Sequence, residues 1–288
     1  VGDCIVLTPD GHIISDGAPN YPYPVEQHLD MSSVEEVYPS LPPPIKIDRR
    51  VLVLNPYASW NYYHWTLNIL PKLGIVDLES IDLIWTYSNA SFQQEYLRGF
   101  GVDTERILPT TRLSYWEARE LVYTSAHPRH LESIHFLRNV AEPRFEVDLH
   151  RPAKRRIYIS RRDAAGRHVS NNDKILELLR HMGFEEIILS GTSVKTQMQL
   201  FAEAEFIMSP HGTGLLNGIF SQPGTKVIEL FSPKLVVPTI YHQLTNANLN
   251  YAFLVGEEND QISEGFRKFQ EPMEISVPKL QNLISCFD

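Results

Sequence analysis

Four short stretches of this sequence carry side chains that could do chemistry, and each follows a short apolar run: Ser160-Arg161-Arg162, Ser190-Gly191-Thr192, Pro210-His211-Gly212-Thr213-Gly214 and Glu229-Leu230-Phe231-Ser232. Their residue types match what a nucleoside diphosphate needs. Gly212 and Gly214 let the backbone approach a ligand closely, and the amides from Gly212 through Thr213 to Gly214 open a helical stretch with free N–H groups for a pyrophosphate. Arg161 or Arg162 can supply a bidentate charged contact to the same oxygens, with His211 beside them. Glu229, closing the next apolar run, is placed to accept bonds from ribose hydroxyls. Basic residues cluster here: Arg151, Lys154, Arg155, Arg156, Arg161, Arg162 and Arg167 stand close in sequence, with Asp163 the only acid among them. The whole chain carries a net charge of −9, from 35 acidic and 26 basic side chains, which opposes a nucleic-acid backbone. The cluster therefore reads as a site for a small anion, not as a nucleic-acid groove.

The glycine loop has a rival reading. Gly212-Thr213-Gly214-Leu215-Leu216-Asn217 almost spells a dinucleotide fingerprint, with an acid on the next strand, which would suit an NAD-dependent oxidoreductase. Asn217 stands where that fingerprint needs its third glycine, and the loop comes late in the chain with only a short helix behind it.

In the first half the conspicuous segment is Asn61-Tyr62-Tyr63-His64-Trp65-Thr66-Leu67-Asn68-Ile69-Leu70-Pro71-Lys72-Leu73. On a helix His64 and Asn68 share one face, while Trp65, Leu67 and Leu70 can bury against the domain. Pro71 removes a backbone bond and should kink or end that helix. His64 is either a core histidine satisfied by backbone carbonyls or a polar group facing ligand and available as a base near neutral pH.

These loops need elements to hold them, and the apolar patterning supplies an alternating α/β series. Strands are expected over 4–8, 12–15, 51–54, 81–86, 106–108 and 121–124, with helices over 61–73, 91–100 and 130–140. A proline-rich irregular stretch runs up to Pro44. The second half alternates more cleanly, with strands over 156–160, 187–189, 206–209, 226–230 and 251–255 and helices between them. This spacing predicts doubly wound parallel sheets in two α/β domains facing a cleft, 1–150 and 151–288, with the last helix free to pack back on the first domain. No internal repeat or low-complexity tract interrupts the pattern.

A length of 288 residues suits two ordinary domains, and 43% hydrophobic with 21% charged residues is a soluble globular composition. No apolar run is long enough to span a bilayer. Without a signal-like opening, the expected location is the cytoplasm, peripheral to a membrane if associated with one, or a secretory lumen if an N-terminal anchor has been removed. The sequon Asn89-Ala90-Ser91 says little about compartment. The only cysteines, Cys4 and Cys286, stand at opposite ends and give no metal-ligand spacing and no disulfide framework.

The two halves together resemble a known family. Asn-Tyr-Tyr-His-Trp at 61–65 with Leu-Pro-Lys-Leu at 70–73 is similar to the N-terminal signature of glycosyltransferase family 61. Arg-Ile-Tyr-Ile-Ser-Arg-Arg-Asp at 156–163, Pro-His-Gly-Thr-Gly-Leu at 210–215 and Val-Ile-Glu-Leu-Phe at 227–231 resemble its donor-domain signatures, in the family's order. That family includes bacterial capsule and polysaccharide enzymes, plant xylan-decorating transferases and animal O-linked N-acetylglucosamine transferases. The resemblance implies a GT-B fold of two Rossmann-like domains, an NDP-sugar donor (often UDP-linked), a glycan or glycoprotein hydroxyl as acceptor, and inversion at the anomeric carbon. It would make residues 1–150 the acceptor side and 151–288 the donor-binding domain. No Asp-x-Asp pair occurs in the chain, so no cofactor or metal is expected, and arginine and loop amides would stabilise the leaving diphosphate. One position departs from the family: members commonly carry Asp or Glu four residues after the histidine, and this chain has Asn68. Either His64 acts as base, or a carboxylate from elsewhere does, or the protein binds donor without turning it over. An NDP-sugar epimerase of the same fold is a further alternative.

Overall fold

The computed structural model describes residues 45–54, 60–109, 115–122, 124, 130–164, 166–257 and 271–287, with the backbone of further strands over 4–7, 12–15 and 18–20. These residues form two compact units, 1–129 and 130–288. Most of the expected proline-rich stretch lies outside the described residues.

The first unit is built on a seven-stranded sheet ordered β3-β2-β1-β7-β4-β5-β6. Its strands are β1 Cys4–Leu7, β2 His12–Ser15, β3 Ala18–Asn20, β4 Ile45–Val53, β5 Leu83–Thr86, β6 Ile107–Pro109 and β7 Tyr115–Val122. β7, β4, β5 and β6 run parallel, while β1, β2 and β3 add an antiparallel extension beside β7. The strands expected over 4–8 and 12–15 pair with one another as an antiparallel hairpin, with Cys4 opposite Ser15. Its continuation into β3 falls in the stretch read as irregular, because Pro19 argues locally against a strand. Pro19 sits in one edge strand and Pro109 in the other. β4 begins at Ile45, well before the expected Val51, since only Val51, Leu52 and Val53 of the strand are buried and its first half shows no apolar pattern. In chain order the parallel strands lie 3-2-1-4, so the winding reverses beside β4.

The second unit is a five-stranded parallel sheet ordered β9-β8-β10-β11-β12. Its strands are β8 Arg155–Ile159, β9 Phe184–Ile187, β10 Ala204–Pro210, β11 Lys226–Phe231 and β12 Asn250–Val255. Successive side chains of a strand face opposite sides. Tyr158, Met208, Ile228 and Leu230 build one core with Ile175 and Leu179 of the helix Asn172–His181 and Leu280 and Ile284 of the helix Val277–Ser285. On the other face the helices Val194–Ala202 and Thr239–Asn246 both touch the 3₁₀ helix Thr213–Phe220. In chain order the strands lie 2-1-3-4-5, and the winding reverses between β8 and β10. This is the α/β, parallel-stranded architecture of the sequence reading.

The helix His130–Phe145 shifts the division between the halves. Arg138 donates to the carbonyls of Ile219 at 2.6 Å and Ser221 at 2.8 Å, closing the end of the 3₁₀ helix. The helix therefore belongs with the second unit, and the units divide at 129/130 where the sequence pattern suggested 150/151. The last helix, read as free to pack back on the first half, instead sinks Leu280 and Ile284 into the second unit's own core. Each such side chain contributes about 1.5–3 kcal/mol on full burial. Cys286 at its end is an exposed free thiol. No helix among the described residues is long and apolar enough to cross a membrane.

Candidate functional site

Ligands of an open α/β sheet bind beyond the carboxyl ends of the strands, at the place where the winding reverses. In the second unit that place lies between β8, which exits through Ser160-Arg161, and β10, which exits through His211-Gly212. A cavity of about 150 Å³ opens there, lined by Ser160, Arg161, Ser190, Ser209, Gly212 and Gly214 among others.

Arg161 and Gly212 are pressed together at its wall. A Cβ on Gly212 would meet Nη1 of Arg161 at 2.4 Å. Gly212 has an extended φ of 177°, which any residue adopts, so glycine is needed here for space. Gly214 is tight in a softer way, since its Cβ would meet the movable Cδ1 of Leu189 at 2.7 Å. Arg161 donates through Nη2 to the Gly166 carbonyl at 3.3 Å, while its Nε is buried with no partner among the described residues. Burial first, and then the charge of Arg167, pull the Arg161 pKa below its ordinary value, with Asp163 opposing. The Arg167 guanidinium is lowered by burial, with Glu229 opposing. Arg167 also has a left-handed backbone, φ 60°, which costs a residue with a Cβ about 1–2 kcal/mol. Two desolvated guanidinium groups whose charges act on one another, with no ion pair to either within 4.0 Å among the described residues, are poised for an anion.

The sequence reading left Arg161 and Arg162 as equals, and the structure separates them. Arg162 turns outward to an ion pair with Glu186 of β9 at 3.0 Å, and the cavity is lined without it. Arg167 was named in the basic cluster but not as a site residue. The turn through Gly166 that brings it back toward Arg161 has no signature in spacing alone. Thr213 follows Gly212 as the first residue of the 3₁₀ helix. Asn217, in the place of a third glycine, is buried and ties that helix to the Val194–Ala202 helix by donating to Gln197 Oε1 at 2.9 Å. A side chain filling this position leaves no room for the close helix–strand approach of a dinucleotide fingerprint.

Glu229 is not open to a ribose. It has no exposed surface, and both oxygens are taken: Oε1 lies 2.6 Å from Nδ1 of His211, and Oε2 accepts from the Tyr251 hydroxyl at 2.6 Å. Tyr251 was not identified from sequence, because its partner comes from the neighbouring strand β11. Burial, and then the Glu229 charge, push the Tyr251 phenol pKa up, so it stays protonated and donates. The His211 ring is stacked on Phe231, 5.2 Å between centroids at 26°.

In the first unit the winding reverses beside β4, and the helical segment carrying His64 follows that strand. Asn61 caps it, accepting from the Tyr63 amide at 2.9 Å. A single α turn, Tyr62–His64, widens into a π turn, Trp65–Ile69, and then tightens into a 3₁₀ turn, Leu70–Gly74. Pro71 has no N–H to give an α ladder and its ring crowds the preceding turn, which accounts for the widening before it. The segment therefore neither ends at Pro71 nor simply kinks.

His64 and Asn68 do meet, with Asn68 Nδ2 3.1 Å from His64 Nδ1. An amide nitrogen can only donate, so Nδ1 accepts and the neutral ring carries its proton on Nε2. Asn68 thus holds the His64 ring through Nδ1, one turn along the same helical face. One turn on, Lys72 is buried at 5% exposure without an ion pair among the described residues, and burial lowers its pKa. Lys72 was passed over in the sequence because a lysine beside a proline reads as surface.

Among the described residues, no group of three or more His, Cys, Asp or Glu side chains is arranged to hold a metal ion. No curated protein matches the chain. A family model does: Glycosyltransferase 61 matches residues 62–228, more than half of the chain, from the turn bearing His64 to the strand bearing Glu229. The match spans both reversal points, and the chain belongs to glycosyltransferase family 61: it is a glycosyltransferase, acting between a sugar donor and an acceptor.

Proposed function

We propose that the chain is an inverting glycosyltransferase of GT-B type that takes an NDP-sugar, with UDP as the nucleotide, without a metal ion. The second unit holds the donor, and the first unit, with His64 and Asn68, meets the hydroxyl acceptor of a glycan or glycoprotein. The observation carrying this reading is the desolvated Arg161 guanidinium beside the Gly212 backbone at the reversal of the second sheet, with the Arg167 charge acting on it and no ion pair to either arginine within 4.0 Å among the described residues. Fixed cations of this kind can take the charge that a departing diphosphate develops, the work a divalent ion does elsewhere. The buried Asn217 weighs against the NAD-dependent alternative.

Titration calorimetry with UDP and with NAD, followed by UDP release from a panel of UDP-sugars with and without EDTA, tests this reading. The expected result is UDP binding, no NAD binding and EDTA-resistant release. NAD binding, or activity lost on chelation and restored by manganese or magnesium, overturns it. A donor-binding protein without turnover is the second reading, favoured by Asn68 standing where the family commonly has a carboxylate. UDP binding with no release from any UDP-sugar would establish that one.

A further inference from the structure

Two histidines in this chain are held by a neighbouring side chain at Nδ1, and they are held in opposite senses. Asn68 donates to Nδ1 of His64, whereas Nδ1 of His211 faces the carboxylate of Glu229 at 2.6 Å. Glu229 has no exposed surface, and His211 is its only ion-pair partner within 4.0 Å among the described residues. A buried carboxylate keeps its charge only when hydrogen-bond donors meet its lone pairs. Tyr251 supplies one, to Oε2 at 2.6 Å. The contact at Oε1 then requires the proton on Nδ1, which leaves the neutral ring with its lone pair on Nε2. No hydrogen bond occupies Nε2 among the described residues, and stacking on Phe231 holds the ring in place. An imidazole oriented through Nδ1–H by a buried carboxylate, with Nε2 open, is the arrangement by which hydrolases make a proton acceptor.

Position agrees with this. The His211 ring stacks on Phe231 of β11, while the cavity beside Arg161 is lined by Gly212 and Gly214 of the same loop and not by His211. An inverting displacement needs the incoming hydroxyl and the leaving diphosphate on opposite faces of the anomeric carbon. A proton acceptor next to the anion cavity, but outside it, suits the first of these.

We propose that His211 is the general base of the transfer, with Glu229 and Tyr251 as the residues that position it. The inference rests on the donor reading above. In the step, the acceptor O–H bond breaks and its proton passes to Nε2. The oxygen's electron pair forms the new bond to the anomeric carbon. The bond from that carbon to the diphosphate oxygen breaks, and its pair leaves on the diphosphate. Glu229 then faces an imidazolium, and the Tyr251 hydrogen bond keeps the carboxylate from drawing the Nδ1 proton away. Among the described residues, the charged and titratable groups around the pair are Tyr251 on β12, Tyr241 against it on the Thr239–Asn246 helix with centroids 5.1 Å apart, and Arg167 from the turn after β8.

Nitrogen-15 NMR of the histidine side chains tests the tautomer without turnover. Near pH 8, His211 should carry its proton on Nδ1; a bare Nδ1 with Nε2 protonated overturns the proposal. With the UDP-sugar that is turned over, Glu229→Gln should lower kcat by about a hundredfold or more, the scale for disabling a general base, with KM and UDP affinity within about twofold of the parent. Tyr251→Phe, a milder change that tests the idea if Glu229→Gln does not fold, should lower kcat by roughly fivefold to tenfold, about one hydrogen bond. Loss of UDP affinity in step with kcat would make the three residues nucleotide ligands and overturn the assignment. Unaltered kcat in folded Tyr251→Phe and Glu229→Gln also overturns it. If the wild-type protein bound no UDP, the donor reading would fail, and the tautomer would still decide whether the dyad exists.

Discussion

A single methyl group on Gly212 would stand 2.4 Å from Nη1 of Arg161, so the loop after β10 and the side chain after β8 are fitted to one another as one surface. Gly212→Ala must push Arg161 aside. It should weaken UDP binding about as much as Arg161→Ala, by about 1.5–3 kcal/mol, the scale of a charged hydrogen bond. The two changes should not add, because the second removes what the first has displaced. Arg162→Ala serves as the control. Its partner Glu186 is on a half-exposed pair worth about 0–1 kcal/mol, so UDP affinity should hold. Calorimetry on the four variants decides it, and additive losses or a large effect of Arg162→Ala would contradict the placement.

His64 should act through the hydrogen on Nε2. His64→Ala should lower turnover by about tenfold, roughly the worth of one hydrogen bond, with UDP affinity kept. His64→Gln, which keeps an N–H donor, should recover most of that loss. Asn68→Asp removes the donor facing Nδ1 and supplies an acceptor, so the His64 proton should move to Nδ1 in nitrogen-15 spectra. A His64→Ala variant with full turnover would take this turn out of the mechanism.

Lys72 makes stability depend on pH. Its folded pKa is lowered by burial, so between that value and the ordinary lysine value of 10.5 the unfolded chain binds the proton that the folded chain lacks. Stability from this group therefore rises as pH climbs toward 10.5, and is lost as pH falls through the folded value. The urea midpoint of the parent should lie below that of Lys72→Leu at neutral pH and draw closer to it as pH rises toward 10.5. Tyr96, whose phenol burial pushes well up, pulls the opposite way in both proteins and cancels in the difference. A difference between the two that does not change with pH would show that the amine is not charged and buried.

The second unit was largely legible from sequence because its strands are short apolar runs with polar loops at their carboxyl ends. Lys226-Val227-Ile228-Glu229-Leu230-Phe231 needed no tertiary information to be read as a strand with chemistry at its end. What spacing could not reveal was where a side chain turns after leaving its strand. Arg161 and Arg162 are adjacent, yet one lines the cavity and the other bonds a neighbouring strand. Glu229 resembled a ribose ligand until Tyr251 and His211, distant in sequence, occupied both its oxygens. In the first unit the polar half of β4 and the proline of β3 hid strands whose stability comes from pairing and not from their own pattern. The π turn at Trp65–Ile69 was hidden in a different way, since a 3.6-residue period places His64 and Asn68 together whether or not the turn widens.

The prolines that close the two edges of the first sheet bear on how this protein behaves at high concentration. A sheet edge with a regular row of N–H groups is a template on which a second chain can add a strand. Pro19 interrupts that row on β3, where it lies opposite Ile14, and Pro109 interrupts it on β6, opposite Thr86. The antiparallel hairpin also covers β7, whose flank would otherwise be a long and unprotected border. Each outer strand of the largest sheet thus carries a residue with no N–H to donate to an added strand.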